Sequence, residues 1–180
     1  MKLDRSRAAL VVVDVQEAFR PAVLDFEQVV GNVSVLVRGA GVLGLPTLVT
    51  EQYPKGLGRT VPELAEHLDQ VDPIEKVCFS AVQADGFSRA LQDGRRDQVL
   101  LCGIETHVCV NQTAQDLIRD GLEVHVAQDA VSSRTKENRD LGLHKMERSG
   151  AMVTSVETAL FELLRAAGTP EFKEVQALVK

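Results

Sequence analysis

The feature that most constrains the fold of this chain is the unbroken apolar run from Ala8 to Val13. The run is rich in β-branched valine and ends at Asp14, which is typical of a strand buried on both faces of a parallel sheet. Similar runs recur along the chain and alternate with stretches that predict helices. The alternation predicts an α/β fold: a three-layer, doubly wound, mostly parallel sheet of five to six strands with helices on both faces.

The order of these runs gives the expected order of elements. The predicted strands cover residues 8–13, 46–50, 98–102, 122–127 and 151–154, and a sixth candidate covers 74–77. The predicted helices cover residues 26–42, 85–92, 107–119, 136–148 and 156–166, and a last one at 170–179 packs on the surface or on a neighbouring subunit. Gly94, Gly121 and Gly150 each follow a predicted helix, where a left-handed closing residue is expected.

Length and charge narrow the class of protein. The 180 residues fit a single domain, residues 1–180. Because 26 acidic residues outnumber 20 scattered basic ones, neither nucleic acid nor an anionic membrane is an expected partner. No apolar stretch approaches the roughly 20 residues of a membrane span. The odd number of cysteines, Cys78, Cys102 and Cys109, predicts free thiols in a reducing compartment and hence a cytoplasmic protein.

Two common kinds of site are not predicted. Residues 39–44 fit the dinucleotide pattern G-x-G-x-x-G, but they end a helical stretch and precede a strand, the reverse of the required context. His67, His107, His125 and His144 are widely spaced and form no metal-binding pair. Neither a metal nor another cofactor is expected.

Three polar or reactive residues follow or end predicted strands: Asp14, Lys76 and Cys109. In a parallel sheet they would gather at the carboxyl edge, where clefts form. Thr106 is the expected N-cap of the helix at 107–119, which would place Cys109 in the first turn and lower the pKa of its thiol. Asp14 could accept the thiol proton, and a Lys76 ammonium would keep that carboxylate ionised. Taken singly, each residue also fits a structural role as a cap, a solvated lysine or a packed cysteine.

The segment 51–61 is the longest irregular stretch and directly follows a predicted strand. Ligands of open α/β sheets bind beyond the carboxyl ends of strands, so this segment is placed to cover a site. The alternative is a plain surface connection.

Taken together, the motifs resemble those of the isochorismatase-like cysteine hydrolases, a family that includes nicotinamidases and carbamoylsarcosine-type amidases. Residues 14–19 resemble its D-x-Q-x-x-F opening, residues 76–80 its K-x-x-F-S segment, and residues 103–116 its G-(I/V)-x-(T/S)-x-x-C-V-x-x-T-A-x-D segment. Asp129 and Ala130 follow the next strand as in relatives. The resemblance runs from Ala8 to Leu164, which is nearly the whole chain.

The resemblance implies a role for each matching residue. Cys109 would be the nucleophile, Asp14 the base that accepts its proton, and Lys76 the residue that orients and charges the pair. The resemblance also implies a cis peptide bond between Ile104 and Glu105. An oxyanion hole would then be built from the N–H groups of Glu105 and Cys109.

The chain departs from the nicotinamidases at residues 50–56, which read Thr-Glu-Gln-Tyr-Pro-Lys-Gly where nicotinamidases carry an Asp-x-His metal segment. Neither a metal nor its histidine is therefore implied. The string is similar to that of uncharacterised isochorismatase-domain hydrolases, so the resemblance does not give the substrate. Phe19, Gln52 and Tyr53 would line the pocket.

These observations predict a metal-independent cysteine hydrolase that acts on a small amide-like molecule through a thioester. Three alternatives stay open: a non-catalytic scaffold or binding protein with the hydrolase fold, an isochorismatase-type vinyl ether hydrolase, and a phosphoacceptor receiver domain. The last is disfavoured because Asp14 has no acidic neighbour at Val13 or Val15. The family resemblance also implies a homo-oligomer.

Overall fold

The computed structural model describes residues 2–180 and contains a six-stranded sheet in which every neighbouring pair is parallel. The spatial order is β3-β2-β1-β4-β5-β6. The strands are β1 (Ala8–Val13), β2 (Thr47–Gln52), β3 (Ile74–Lys76), β4 (Gln98–Ile104), β5 (Glu123–Ser132) and β6 (Met152–Thr154). The predicted α/β class is confirmed, and the sheet is wholly rather than mostly parallel.

Helices cover both faces of this sheet. They are α1 (Phe26–Leu43), α2 (Pro54–Leu57), α3 (Pro62–Ala65), α4 (Phe87–Asp93), α5 (Asn111–Arg119), α6 (Lys136–Arg148), α7 (Val156–Leu164) and α8 (Pro170–Leu178). Helices α1, α3, α7 and α8 contribute to one core cluster, and α4, α5 and α6 to the other. None of the helices in the described part of the chain is both long and apolar enough to cross a membrane.

Strand β1 lies at the centre, and all six of its residues are buried. Successive side chains of a strand point to opposite faces, so Leu10 and Val12 join one core while Ala9 and Val11 join the other. This burial on both faces explains why the strand reads as a continuous apolar run rather than an alternating one.

The sheet changes direction of winding at β1, which pairs with β2 on one side and with β4 on the other. Ligands of doubly wound sheets bind at such a switch point, outside the carboxyl ends of the strands. Gly103 lets the two central strands come together there: its φ is +113°, and a Cβ atom at this position would lie 2.1 Å from the carbonyl oxygen of Val13. Only glycine fits this contact.

Several predicted boundaries are wrong in detail. Strand β5 continues to Ser132, well past the predicted end at residue 127, and includes the polar residues Gln128 and Asp129. The Asp129 carboxylate accepts a hydrogen bond from the Val156 N–H at 2.9 Å. Gly94 has a right-handed conformation, and its neighbour Arg95 takes the positive φ instead. The C-terminal helix α8 packs within this chain, against α1 and α7, and buries Val175.

Candidate active site

Asp14 directly follows β1 and is fully buried. Its backbone has a left-handed φ of 53°, which turns the chain out of the sheet. The carboxylate is held from β2 and β3, which lie on the same side of β1: Oδ1 accepts a hydrogen bond from Oγ1 of Thr50 at 2.7 Å, and Oδ2 lies 2.7 Å from Nζ of Lys76. A buried carboxylate with these two donors has a fixed orientation at the switch point.

Lys76 ends β3, and its side chain crosses β2 to reach Asp14. The ammonium also donates to Oε1 of Gln52 at 2.6 Å and lies near the carbonyl oxygens of Cys78 at 3.3 Å and Phe79 at 3.2 Å. The Lys76 side chain has no solvent-accessible surface, so its charge is compensated entirely by protein oxygens. An ammonium held in this way stays close to the Asp14 carboxylate.

Cys109 lies in a π-helical turn, Thr106–Val110, between β4 and α5. Its side chain is almost completely buried, and Sγ has a long contact of 3.9 Å with Oε1 of Gln52. Both Asp14 and Lys76 are close enough to influence the thiol electrostatically. The structure therefore brings Asp14, Lys76 and Cys109 into one cluster, with Gln52 between the last two.

Thr106 is not the N-cap that the sequence predicts. Glu105 takes that position, and its carbonyl oxygen accepts hydrogen bonds from the N–H groups of Val108 and Val110. The hydroxyl of Thr106 is buried without a hydrogen-bond partner. The wide π turn replaces the predicted first α-helical turn, and regular α-helix begins only at Asn111.

The predicted lowering of the Cys109 thiol pKa is also wrong. Burial raises the pKa of Cys109 to about 12; the charge of Asp14 adds to the rise and that of Lys76 opposes it. Burial likewise raises the pKa of Asp14, although Lys76 and Thr50 limit that rise. The prediction considered the helix terminus and neglected the loss of water around the thiol.

The peptide bond between Ile104 and Glu105 is cis. Among the residues that the structure describes, the Glu105 N–H has no acceptor within hydrogen-bond distance. The Glu105 side chain bonds to Arg134: its Oε1 accepts hydrogen bonds from the backbone N–H and from Nε of that residue. The turn that carries Cys109 is thus tied to the segment after β5, and His107 adds a contact between its Nδ1 and Oγ of Ser133 at 3.0 Å.

Gly142 of helix α6 packs on the turn that carries Cys109. A Cβ atom there would lie 2.7 Å from the carbonyl carbon and oxygen of Thr106 and 2.8 Å from the His107 nitrogen. The helix therefore packs directly on the backbone of the turn. No local sequence pattern indicates this contact, because a glycine inside a predicted helix has no particular meaning by itself.

The three predicted pocket residues differ in their placement. Gln52 is part of the cluster around Lys76 and Cys109. Tyr53 is half exposed and lines a neighbouring cavity of about 340 Å³ together with Lys76 and Val77, whereas Asp14 and Cys109 do not line that cavity. Phe19 is partly buried and packs against the hydrophobic core.

Sequence reasoning missed two polar residues that hold the site. Gln16 is fully buried, and its side chain bonds the backbone of Gln52 on both sides: Oε1 accepts from the Gln52 N–H at 2.7 Å, and Nε2 donates to the Gln52 carbonyl at 3.0 Å. Glu51 is buried at the end of β2 and accepts hydrogen bonds from the N–H and hydroxyl of Thr60. The signal that indicates both residues is a polar side chain at or just after the end of a buried strand, the same signal that indicates Asp14.

The side-chain chemistry of the cluster suits attack on an electrophile. A thiol, a carboxylate and an ammonium form one buried cluster, which is the set of groups needed for a nucleophile, a base and a compensating charge. In the described part of the chain, no three His, Cys, Asp or Glu side chains are grouped so as to hold a metal ion.

Comparison with known proteins shows the family. The model of the isochorismatase domain matches residues 8–158. The chain is 44% identical over 173 residues to isochorismatase domain-containing protein 2A of Mus musculus, covering 95% of this chain and 82% of that protein. Among solved structures, MAR1 ribonuclease of Caenorhabditis elegans has a TM-score of 0.95 and 40% identity, covering 99% of this chain and 92% of that one.

A second solved structure extends the comparison to bacteria. The YcaC gene product of Escherichia coli, described as an octameric hydrolase of unknown specificity, has a TM-score of 0.92 and 25% identity, covering 99% of this chain and 90% of that one. Sequence and fold agree along almost the entire length. This chain therefore belongs to the isochorismatase domain family of hydrolases.

Proposed function

We propose that this protein is a metal-independent cysteine hydrolase that cleaves a small amide-like substrate through a thioester on Cys109. The observation that carries the proposal is the buried cluster in which Lys76 Nζ lies 2.7 Å from Asp14 and both groups act on the Cys109 thiol. The absence of an Asp-x-His segment at residues 50–56 supports a reaction without a metal.

In the proposed first step, Sγ of Cys109 attacks the carbonyl carbon while its proton moves to the Asp14 carboxylate. The raised pKa of Cys109 favours this concerted transfer over a preformed thiolate, and the raised pKa of Asp14 makes its carboxylate a stronger base. The electron pair of the carbonyl moves to its oxygen, which the N–H groups of Glu105 and Cys109 would stabilise. Each such donor typically contributes about 3 kcal/mol to the transition state.

Collapse of this intermediate breaks the C–N bond, and Asp14 returns the proton to the leaving nitrogen. The acyl group stays on Cys109 as a thioester. Asp14 then takes a proton from a water molecule that attacks the thioester. The C–S bond breaks, Asp14 returns that proton to Sγ of Cys109, and the carboxylic acid is released. Lys76 compensates negative charge throughout and stays protonated.

A second candidate reaction is hydrolysis of RNA, because the nematode protein with 40% identity is described as a ribonuclease. The net charge of −6 disfavours it, since binding to phosphates generally needs a basic surface. Cleavage of a vinyl ether and a purely non-catalytic scaffold role compete with amide hydrolysis as well, and a substrate panel distinguishes them.

The test is ammonia release from a panel of small primary amides, with a labelled oligoribonucleotide and isochorismate as further substrates. We expect the amide that is turned over to be cleaved at least about 10³-fold more slowly by Cys109→Ala and Asp14→Asn. Cys78→Ala is the matched control and retains the activity, because the Cys78 side chain lies outside the cluster. Undiminished turnover by Cys109→Ala, or cleavage of RNA or isochorismate alone, contradicts the proposal.

We also propose that the protein is a homo-oligomer with a small-molecule substrate and a cytoplasmic location. The octameric bacterial neighbour supports the assembly. The three unpaired cysteines are compatible with a reducing compartment. Light scattering on a size-exclusion column tests the first point: a mass of 19.6 kDa, that of one chain, contradicts it.

A further inference from the structure

The side-chain amide of Gln52 lies between the ammonium and the thiol of the site. Its Oε1 accepts a hydrogen bond from Lys76 at 2.6 Å and the long contact from Cys109 at 3.9 Å. Its Nε2 donates to the carbonyl oxygen of Val77 at 2.9 Å. The neutral Oε1 atom of Gln52 thus faces both the Lys76 ammonium, which would stabilise a thiolate, and Sγ of Cys109, which would become that thiolate.

The hydrogen bonds of Lys76 are fully used in this arrangement. An ammonium group has three protons, and Lys76 faces four oxygens, on Asp14, Gln52, Cys78 and Phe79. The sulfur of Cys109, on which Lys76 also acts, therefore competes with these four oxygens for the three protons. Asp14 is the charged partner, and the Cys78 and Phe79 oxygens belong to the backbone, so Gln52 is the neutral side-chain acceptor that can turn away.

Hydrogen bonds hold the backbone of Gln52 in place, and its side chain is held by hydrogen bonds of the terminal amide group. Gln16 bonds both the N–H and the carbonyl of Gln52, and its Nε2 also donates to the carbonyl oxygen of Gly58 at 2.7 Å. The Gln52 side chain is partly exposed and makes its contacts through the amide group alone. A rotation of that side chain would break these contacts without moving β2.

We propose that Gln52 is a positioning residue that occupies the Lys76 ammonium in the resting enzyme, and that a substrate that bonds to the Gln52 amide frees Lys76 to donate to the sulfur. The proposal rests on the proposed function in taking Cys109 as the nucleophile. Release of Lys76 would coincide with transfer of the thiol proton to Asp14, so no charge is created without a partner. In the unliganded protein, burial raises the pKa of Cys109, and Lys76 offsets only part of that rise.

Asp14 and Lys76 are the charged side chains that act on the thiol. His107, on the same turn as Cys109, contacts Ser133. The other charged groups around the turn have partners of their own: Glu105 with Arg134, Asp116 with Arg119, and Arg139 with carbonyl oxygens of β5.

The experiment measures the rate at which iodoacetamide alkylates Cys109 between pH 7 and 9.5, by mass spectrometry of the Cys109 peptide. Two variants of nearly equal size change Gln52 in opposite ways. Gln52→Met removes the oxygen that occupies Lys76, whereas Gln52→Glu places an acidic group against Lys76 and the thiol. Gln92→Met, on the exposed side of α4, is the matched control for the substitution itself.

We expect Gln52→Met to lower the pKa of Cys109 by about one unit, which gives roughly threefold to tenfold faster alkylation at pH 8 because the larger thiolate fraction outweighs its lower nucleophilicity. Gln52→Glu should be no faster than the parent protein, and Gln92→Met should be unchanged. A Gln52→Met protein that is folded by circular dichroism and is alkylated at the parent rate, or more slowly, overturns the proposal. The alkylation measurement needs no substrate, so it tests the role of Gln52 separately from the proposed function. The alkylation rates can contradict the role of Gln52 while the Cys109→Ala turnover test supports the proposed function, and the opposite combination can also occur.

Discussion

Nζ of Lys76 lies 2.7 Å from Oδ2 of Asp14, and neither side chain has any solvent-accessible surface. Each charge is tolerated in the interior because the other is present. Removing one partner of such a pair typically costs about 3–5 kcal/mol, since the remaining charge is left buried and uncompensated. Stability and the proposed chemistry therefore depend on the same two residues.

The first prediction follows from this pairing. Lys76→Met should lower the free energy of unfolding by about 3–5 kcal/mol, and adding Asp14→Asn should recover part of that loss because the buried carboxylate is gone. Urea denaturation followed by circular dichroism measures both values. The control is Lys136→Met, which removes an exposed lysine paired with Asp140 on α6 and should cost less than about 1 kcal/mol. A double variant less stable than Lys76→Met would contradict the pairing argument.

The second prediction concerns the pH dependence of thiol reactivity in the unliganded protein. Because burial raises the pKa of Cys109 to about 12, the thiol is protonated at neutral pH and only the thiolate reacts. Alkylation of Cys109 should therefore rise about tenfold per pH unit from pH 7 to 9.5 without a plateau. Cys102, which is fully buried and whose pKa burial also raises, should stay unlabelled until the protein unfolds.

A plateau of Cys109 labelling between pH 7 and 8 would mean that the thiol is activated in the resting state. The measurement is site-resolved mass spectrometry after timed exposure to iodoacetamide. Cys78, which is partly exposed, serves as the internal reference for an accessible thiol.

The strands and the edge at which the site forms could be predicted from sequence because both depend on local patterns. A strand buried on both faces must be apolar throughout, so the polar Asp14 marks the end of β1. Strand β3 is instead an edge strand with the exposed Glu75, and Lys76 stands out there only as a polar residue at the end of a short strand. Parallel pairing then brings such ends to one edge. The distances between the residues at these strand ends depend on the strand order and the register, which the local patterns do not give.

The shape of the turn that carries Cys109 could not be predicted, because tertiary contacts determine it. Capping preferences favour Thr106 as the start of an α-helix, yet the segment Thr106–Val110 forms a π turn beneath Gly142 of α6. The pKa of Cys109 was predicted in the wrong direction for a related reason. Burial depends on the elements that surround the turn, whereas the position of a helix terminus can be inferred from sequence.

The third prediction uses Gly142. A glycine to alanine change inside a helix usually stabilises it by about 1 kcal/mol. At Gly142 the added Cβ would lie 2.7 Å from the Thr106 backbone, so Gly142→Ala should lower the melting temperature and change the alkylation rate of Cys109. Gly41→Ala in α1, where nothing lies within 4 Å, is the control and should be neutral or stabilising. If both variants are equally stabilised, α6 does not press on the backbone of the turn.

The fourth prediction concerns Glu51, whose carboxylate is buried although its ion-pair partner Arg59 is largely exposed. Oε1 accepts hydrogen bonds from the N–H of Thr60 at 2.7 Å and from its hydroxyl at 2.8 Å, and Oε2 contacts Arg59 at 2.9 Å. Glu51→Ala leaves the buried Thr60 groups without an acceptor, so it should cost about 2–4 kcal/mol. Glu75→Ala is the control, because exposed Glu75 pairs with the same Arg59 and its loss should cost less than about 1 kcal/mol.

Glu51 also acts on the site through the segment that it anchors. Thr60 pairs with Gln16, and Gln16 in turn fixes the backbone of Gln52. Glu51→Ala should therefore raise the amide-exchange rate of residues 53–61 and change the alkylation rate of Cys109, whereas Glu75→Ala should change neither. Hydrogen–deuterium exchange on the two variants, under conditions where both are folded, separates these outcomes. Equal protection of the segment in both proteins would show that the exposed Arg59 pairs, rather than the buried carboxylate, hold it in place.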